Sequence, residues 1–114
     1  MAREQGDLLQ GTLSLLILKG LLGGEMHGYG IARWIREISG ERVEIPEGSL
    51  YPALRRLEDR GHIASRWALS ENNRRARYYT LTPAGQEQLR ADASTWLHFA
   101  TAVTAVLKAE PTAI

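Results

Sequence analysis

The sequence of 114 residues contains no cysteine, which excludes disulfide bonds and thiolate metal sites and suits an intracellular protein. It also lacks a long hydrophobic run: the longest, Leu13–Leu22, is interrupted by Lys19 and Gly20 and is too short to span a bilayer. The first nine residues mix charges instead of leading into an apolar signal core. We therefore expect a cytoplasmic protein that is neither secreted nor inserted into a membrane.

Sequence motifs for catalysis and metal binding are missing as well. There is no cysteine nucleophile, glycine-rich phosphate loop or HExxH zinc motif, and the carboxylates are scattered along predicted helix surfaces. Neither His62 nor His98 has an acid or a histidine four residues further along, as a metal-binding pair on a helix would need. We therefore expect no enzymatic activity, no cofactor and no metal site.

The net charge of +1 hides an uneven distribution of charge along the chain. Between Gly48 and Thr82 lie seven arginines and three carboxylates, an excess of four positive charges, which leaves −3 for the remainder. A basic segment in an otherwise acidic chain is typical of contact with phosphate. Because the bases are nearly all arginine, the composition favours bidentate recognition of phosphate or guanine.

The stretch GSLYPALRRLEDRG, residues 48–61, predicts the helix around which the chain is organised. Leu50, Leu54 and Leu57 fall on one face of a helix with 3.6 residues per turn. The opposite side carries Pro52, Arg55, Arg56 and Asp59. Gly61 predicts the end of the helix, and the start lies between residues 46 and 49. Proline at position 52 is compatible with this helix if it lies within about the first turn.

Two helices are predicted before this stretch. Residues 8–22 are apolar around most of a helix circumference, so this helix is buried by other helices or by a second subunit. Residues 27–40 place Ile31, Ile35 and Ile38 on one face, with Gly28 and Gly30 in the first turn or at a close backbone approach. The alternation that follows, at residues 42–46, fits either a short edge strand or an extended connector.

A β-hairpin with a basic tip is predicted after the third helix. Ile63, Ser65, Trp67 and Leu69 alternate along the first strand, and Tyr79 and Leu81 along the second. The sequence SENNRRA between them favours a turn with two arginines at the tip. We expect Trp67 to serve in packing.

A long last helix is predicted to begin at Thr82 and Pro83, an N-cap followed by proline at the first helical position. Apolar residues then recur in steps of four and three, the spacing of a coiled-coil seam, and nothing breaks the helix before about residue 109. A helix of about 25 residues is roughly 37 Å long, too long for so small a domain to cover. We therefore expect part of it to contact another chain.

Helix, helix, extended piece, helix and hairpin is the order of a winged helix-turn-helix. In that fold the third helix enters the major groove of DNA, and the hairpin, called the wing, lies across the neighbouring backbone or minor groove. We predict a mainly α fold with a β-hairpin wing. Residues 1–82 form the DNA-binding domain, whose helix 8–22 contributes to a dimer; residues 83–110 form a C-terminal dimerisation helix, and residues 111–114 a frayed tail.

Several motifs in this order resemble those of the PadR-like transcriptional regulators. They are His27-Gly28-Tyr29, residues 48–54 with Arg56, Leu57, Glu58 and Gly61, and residues 74–85 from Arg74-Arg75 to Leu81-Thr82-Pro83-Ala84-Gly85. The likeness spans roughly residues 11–85 and continues more loosely into one C-terminal helix, as in the short subfamily. It implies a homodimeric repressor that binds a near-palindromic operator and is relieved by a small molecule. In the family, the dimer forms by packing of the C-terminal helix against the N-terminal helix of the other subunit.

Arg55 and Arg56 on the exposed side of the third helix are the first candidates for contacts in the major groove. The alternative is that either arginine pairs with Glu58 or Asp59, three residues further along. Because Asp59 repels phosphate, we expect the N-terminal end of this helix to face the DNA. Further candidates at that end are Ser49, Tyr51 and Pro52.

The wing and the second helix supply the other DNA-binding candidates. Arg74, Arg75 and Arg77 are expected to contact backbone or minor groove, and to contribute affinity more than sequence choice. His27 and Tyr29 match the motif whose helix start approaches the DNA backbone in the resembling family. A capping or core role for these two residues is an equal alternative.

The dimer implied by the resemblance draws on the first and last helices. We predict contacts by Leu8, Leu9, Leu13, Leu89, Ala93, Trp96, Ala100, Val103 and Leu107. Trp96 has two interpretations. It is either an ordinary interface anchor or one of two indoles that sandwich a flat apolar ligand across the two-fold axis, with room left by the flanking alanines.

The sequence thus predicts a sequence-specific regulator that binds double-stranded DNA, a homodimeric repressor with a small hydrophobic or aromatic effector. Two alternatives remain open. One is a winged helix used as a protein-interaction module. The other is a regulator of the multiple-antibiotic-resistance type, which usually carries an Asp-Arg pair in the wing where this chain has Asn73 before Arg74.

Overall fold

The computed structural model describes residues 12–112. This part of the chain contains four helices and three strands. In chain order they are α1 (Leu13–Leu22), β1 (Met26–His27), α2 (Gly28–Ile38), α3 (Glu47–Asp59), β2 (Ile63–Leu69), β3 (Arg75–Leu81) and α4 (Pro83–Lys108). The predicted mainly helical fold with a hairpin wing and a long last helix is confirmed. Leu8 and Leu9, two of the predicted dimer residues, lie outside the described residues.

The strands form one antiparallel sheet in the order β1-β3-β2. β1 was not predicted, because two residues are too few to show an alternation; it pairs Met26 with Tyr79 and His27 with Tyr78. This pairing fixes the start of α2 to the second strand of the wing. The segment between α2 and α3, for which a strand and a connector were both open, is a connector.

The hydrophobic core lies where α1, α2 and α3 meet the base of the hairpin. Its fully buried side chains are Ile17, Leu18, Ile31, Leu50, Leu54, Leu57 and Ile63. Each such Leu or Ile stabilises the fold by roughly 1.5–3 kcal/mol relative to an exposed position. Ile38 departs from the predicted apolar face of α2: it is the last residue of the helix and 69% exposed.

α3 begins at Glu47, and Pro52 is therefore its sixth residue, beyond the first turn in which the sequence pattern placed it. The proline removes the N–H that would donate to the carbonyl of Gly48. α3 continues nevertheless, because its leucine face is anchored in the core. At its end Gly61 has φ +79°, and the N–H groups of Gly61 and His62 donate to the carbonyls of Glu58 and Leu57, which makes a Schellman motif.

Thr82 joins the end of α3, the first strand of the wing and the start of α4. Its hydroxyl donates to the carbonyl of Gly61 at 2.6 Å and accepts from the N–H of Gly85 at 3.0 Å. Its own N–H donates to the carbonyl of His62 at 3.1 Å. The predicted Thr82–Pro83 helix start is thus confirmed, and the direction of α4 is fixed relative to the wing.

α4 runs for 26 residues, about 39 Å, and gives the molecule its length of 63 Å against widths of 31 and 21 Å. Only its first turns meet the core, through Gly85 and Leu89. Beyond residue 100 every described side chain of the helix is exposed. Among residues 12–112, no helix combines the length and the hydropathy that a bilayer crossing needs.

Candidate nucleic-acid interface

The outer side of α3 is an exposed surface that carries five of the predicted DNA-binding residues. Ser49, Tyr51, Pro52, Arg55 and Arg56 are all exposed, while the leucines of the same helix are buried. Within the described chain, neither arginine forms an ion pair with Glu58 or Asp59. The intrahelical pairing considered as their alternative is therefore not seen, and both guanidinium groups point away from the core.

The start of α2 meets α3 at a close contact between Gly28 and Tyr51. A Cβ built on Gly28 would lie 3.0 Å from both Cε1 and Oη of Tyr51. The absence of a side chain at Gly28 therefore lets the tyrosine ring lie against the backbone of α2. Tyr29, the next residue, is 68% exposed, so the core role considered for it is wrong.

His27 caps α2. Its Nδ1 accepts a hydrogen bond from the N–H of Gly30 at 2.9 Å, and its ring lies edge-on to that of Tyr78, with centroids 5.4 Å apart. Of the two roles left open for this residue, the structure shows the capping one.

The tip of the wing carries two arginines in different settings. Ser70 and Arg74 close the turn through a hydrogen bond from the serine N–H to the arginine carbonyl at 2.7 Å, and Asn73 in between has φ +59°. No side-chain partner for the guanidinium of Arg74 is found within residues 12–112. The guanidinium of Arg75 lies over the indole of Trp67, 4.9 Å from the ring centroid.

Trp67, for which packing was expected, is exposed at 54% and lies outside the core. The alternation of residues along β2 placed Trp67 on the correct face of the strand, since Ile63 at the base of the same face is buried. However, the hairpin extends beyond α3, and nothing in the described chain covers its outer half except arginine side chains. The second of these is Arg77, directly opposite in the strand pairing and 5.6 Å from the indole centroid.

Arg77 bonds to side chains near the end of α3. Its Nε donates to the hydroxyl of Ser65 at 2.8 Å, and its Nη2 lies 3.4 Å from Oε2 of Glu58. The Ser65 hydroxyl in turn donates to the same carboxylate oxygen at 2.6 Å. Glu58 and Ser65 were not predicted from the sequence as functional residues. Ser65 pairs with Tyr79 and is a diagonal neighbour of Arg77, a register that the alternation along each strand does not determine.

Glu25 and Arg66 form a second link, which no sequence pattern indicated. Two guanidinium nitrogens of Arg66 donate to the two carboxylate oxygens of Glu25 at 2.8 and 2.6 Å, across 41 residues of chain. The hydrogen bonds from Arg66 hold the pKa of the Glu25 carboxyl below its usual value, against the opposing effect of desolvation. Arg66 also lies 5.7 Å from the ring of Tyr78. It is therefore not one of the free charges of the basic segment.

The candidate dimer residues divide into a buried and an exposed group. Leu13 and Leu89 are buried in the core of the single chain. Trp96, Val103 and Leu107 are exposed, with Ala93 and Ala100 half-buried on the same side of α4. The exposed apolar surface is wider than the predicted seam, because it also includes Leu97, Phe99 and Val106.

Comparison with known proteins gives consistent matches. A family model described as "Transcriptional regulator PadR-like family" matches residues 17–91. The "Negative transcriptional regulator PadR" of Bacillus subtilis is 32% identical over 78 residues, which are 68% of this chain and 43% of that protein. An uncharacterized 37.1 kDa transposon protein from Streptomyces fradiae is 40% identical over 79 residues, 69% of this chain and 21% of that one. The chain thus spans less than half the length of these two relatives.

Solved structures match over nearly their whole length. A transcriptional regulator from Clostridium thermocellum has a TM-score of 0.81 at 31% identity, covering 90% of this chain and 99% of that one. A PadR-like transcriptional regulator from Bacillus cereus has a TM-score of 0.77 at 28% identity, with 91% and 99% covered. The likeness includes the long last helix, since so much of each chain is aligned.

Proposed function

The chain belongs to the transcriptional regulator PadR-like family, and from that premise we propose that it is a cytoplasmic homodimeric repressor that binds a near-palindromic operator. It is a DNA-binding transcription regulator, and its family and fold are those of regulators and not of enzymes. The Bacillus subtilis relative is named as a negative regulator, which supports repression as the direction of control.

The observation that carries DNA contact is the exposed side of α3, where Arg55 and Arg56 extend from a helix whose other face is anchored in the core. A helix held in this way enters the major groove, where arginine reads guanine O6 and N7 with two hydrogen bonds. Ser49, Tyr51 and Pro52 precede the arginines on the same exposed side and reach the backbone or base edges nearby.

The wing and the start of α2 contribute contacts to the DNA backbone. Arg74 and Arg75 at the wing tip neutralise phosphates beside the groove that α3 occupies. Tyr29 presents an exposed hydroxyl at the start of α2, and His27 fixes that helix start by capping it. These contacts contribute affinity and orientation more than choice of sequence.

The exposed apolar side of α4 supports the dimer. Phe99, Val106 and Leu107 are 68%, 74% and 79% exposed on a helix that projects from its own core. A contiguous apolar surface of this kind marks an interaction site. A second copy covers it when α4 of one chain packs against the N-terminal helix and α4 of the other, and two-fold symmetry sets the two α3 helices about 34–36 Å apart, one turn of DNA.

Trp96 is proposed as the effector contact in this dimer. The indole is 43% exposed and lies between the small residues Ala93 and Ala100, which leave space beside it on the same helix side. A flat hydrophobic or aromatic molecule fits between two such indoles. The Trp96→Leu variant keeps an apolar side chain in the dimer interface, so it is expected to bind the operator as the parent does and to lose release by such compounds.

The test of DNA binding is salt dependence, measured by fluorescence anisotropy on duplex DNA from upstream of the protein's own gene. The parent's affinity is expected to fall steeply with salt, because bound phosphates release counterions. An Arg74→Ala/Arg75→Ala variant should flatten the slope of log K against log salt by about 0.9 for each phosphate that the wing no longer neutralises.

The matched control is Arg36→Ala/Arg90→Ala, which removes two exposed arginines from α2 and α4, away from the wing. It is expected to keep the parent's slope. If the wing variant and the control behave alike, the wing does not contact DNA. If the parent binds neither this duplex nor genomic fragments, the alternative of a protein-interaction module takes the place of the regulator.

A further inference from the structure

Arg77 is held by side chains from two different elements, unlike the arginines at the wing tip. It donates to Ser65 on the facing strand and approaches Glu58 on α3, while Ser65 donates to the same Glu58 oxygen. The three side chains therefore form a closed ring of contacts. Arg77 and Ser65 are diagonal cross-strand neighbours, a spacing that long side chains bridge.

This ring lies where the hairpin leaves the core. On the same face, Ile63 and Tyr79 are buried below it, whereas Trp67 and Leu69 are exposed beyond it. Within residues 12–112, the bonds to Glu58 are the only side-chain hydrogen bonds between α3 and the two wing strands. The ring is therefore placed to set the angle at which the outer half of the wing stands against α3.

A carboxylate such as Glu58 is unfavourable on a phosphate-binding surface, so its presence there is explained if it helps to set the angle of the wing. It is one turn from Arg55 on α3, and its side chain is about one-third exposed, so an unpaired carboxylate there would repel DNA. Bonding to Arg77 neutralises it. The same bonding occupies two nitrogens of the Arg77 guanidinium that a phosphate would otherwise take.

We propose that Glu58, Ser65 and Arg77 are positioning residues that hold the wing at the angle in which α3 and the wing tip contact one DNA duplex together. Arg77 in this arrangement does not bind phosphate. The proposal rests on the proposed function, since it concerns how the same DNA surface is held in shape.

Glu58→Gln distinguishes a positioning role from a purely electrostatic one, because the two roles predict opposite changes in affinity for DNA. Removing a carboxylate from a DNA-binding face raises affinity if only electrostatics acts. Glutamine keeps the size and an acceptor oxygen but not the charge that holds Arg77, so positioning predicts weaker specific binding. Asp59→Asn is the matched control: it removes the same charge from the next residue, which is outside the ring.

Arg77→Lys provides the second arm. Lysine keeps the positive charge, but its one ammonium cannot donate in the fork geometry that reaches Ser65 and Glu58 at once. Ser65→Ala removes the central hydroxyl without any change in charge. The double variant Glu58→Gln/Arg77→Lys is expected to bind no more weakly than either single variant, because each substitution already opens the ring.

The experiment uses the full chain, a duplex selected by the parent from a random pool, and an unselected duplex of equal length. Glu58→Gln, Ser65→Ala and Arg77→Lys are each expected to lose about fivefold or more in affinity for the selected duplex. For Ser65→Ala and Arg77→Lys, which keep the net charge, the affinity for the unselected duplex and the salt slope should stay at the parent's values. Asp59→Asn should bind the selected duplex at least as well as the parent. Thermal unfolding of each variant shows that the fold is kept.

Three results would overturn the proposal. One is tighter binding by Glu58→Gln in step with Asp59→Asn. Another is full affinity in Arg77→Lys together with a flattened salt slope in Arg77→Ala, which would make Arg77 a phosphate contact. The third is absence of duplex binding by the parent, which would overturn the proposed function as well. This outcome is distinct from the first two, because it is seen with the parent alone, whereas the first two require a parent that binds DNA.

Discussion

The ring of Tyr51 lies against the backbone of Gly28, so close that a Cβ at that glycine would be 3.0 Å from the ring. Two motifs separated along the sequence, HGY at the start of α2 and SLYP in α3, therefore meet at one contact. The contact holds Tyr51 on the proposed DNA surface. Any side chain at residue 28 must displace it.

Replacement of Gly28 by alanine tests this contact through stability. Alanine in a helix normally stabilises by roughly 0.5–1 kcal/mol relative to glycine. We expect that gain in the control Gly48→Ala, where a Cβ meets nothing within 4 Å, and not in Gly28→Ala. In a Tyr51→Ala background, Gly28→Ala should become stabilising. Urea unfolding measures the effect of each substitution, and equal effects of Gly28→Ala in both backgrounds would contradict the contact.

Gly85 is predicted to be far less tolerant of substitution, because its Cβ would collide with the carbonyl of His62. The obstacle is backbone, held by the hydrogen bond from Thr82, and cannot rotate away. Gly85→Ala is expected to lower the free energy of unfolding by at least about 2 kcal/mol. Gly23→Ala, where a Cβ makes only an ordinary contact at 3.7 Å, serves as the control and should change stability little.

Local patterns were sufficient to predict α3, the hairpin and α4. The leucine spacing in α3, the glycine at its end and the Thr82-Pro83 start of α4 each follow from chemistry within a few residues. Pro52 shows a limit of this reasoning: α3 begins at Glu47, inside the predicted range of residues 46–49, but this start places the proline beyond the first turn, a position that propensity does not favour.

Contacts between distant residues account for what the sequence did not predict. Glu25 and Arg66 are 41 residues apart, and they meet because β1 and β2 both pair with β3. The exposure of Trp67 depends on how far α3 reaches along the hairpin, which alternation does not encode. For the same reason Arg74 and Arg77, similar in sequence, differ in the structure: one is exposed at the tip and the other is bonded to Ser65.

The Glu25–Arg66 pair predicts a specific dependence of stability on pH. The pKa of Glu25 is lower in the folded chain, because Arg66 donates to its carboxylate, so the folded state favours the ionised form. The resulting stability is present above the unfolded pKa of about 4.3 and is lost as pH falls through the lower folded pKa. Glu25→Gln should therefore reduce the free energy of unfolding at pH 7 and approach the parent's value in acid.

The measurement is urea unfolding at several pH values from about 7 down to 3, a range that brackets the glutamate titration. Glu87→Gln is the control, since it removes an exposed carboxylate that forms no ion pair within residues 12–112. A parent and a Glu25→Gln variant that differ by the same amount at every pH would show that the pair does not stabilise the folded chain through its charge.

The last prediction concerns the exposed side of α4. Val103 lies on the same side as Trp96 and Leu107, whereas Ala105, two residues further on, lies about 200° around the helix and is exposed. A glutamate at residue 103 would place a charge in the proposed interface, where it would be desolvated without a partner. Val103→Glu should therefore shift the chain from dimer to monomer in sedimentation velocity, and Ala105→Glu should not. Because one monomer presents only one α3, Val103→Glu should also lose most of its affinity for a two-site operator while keeping its helical circular dichroism. A parent that sediments as a monomer, or two variants that sediment alike, would contradict the interface.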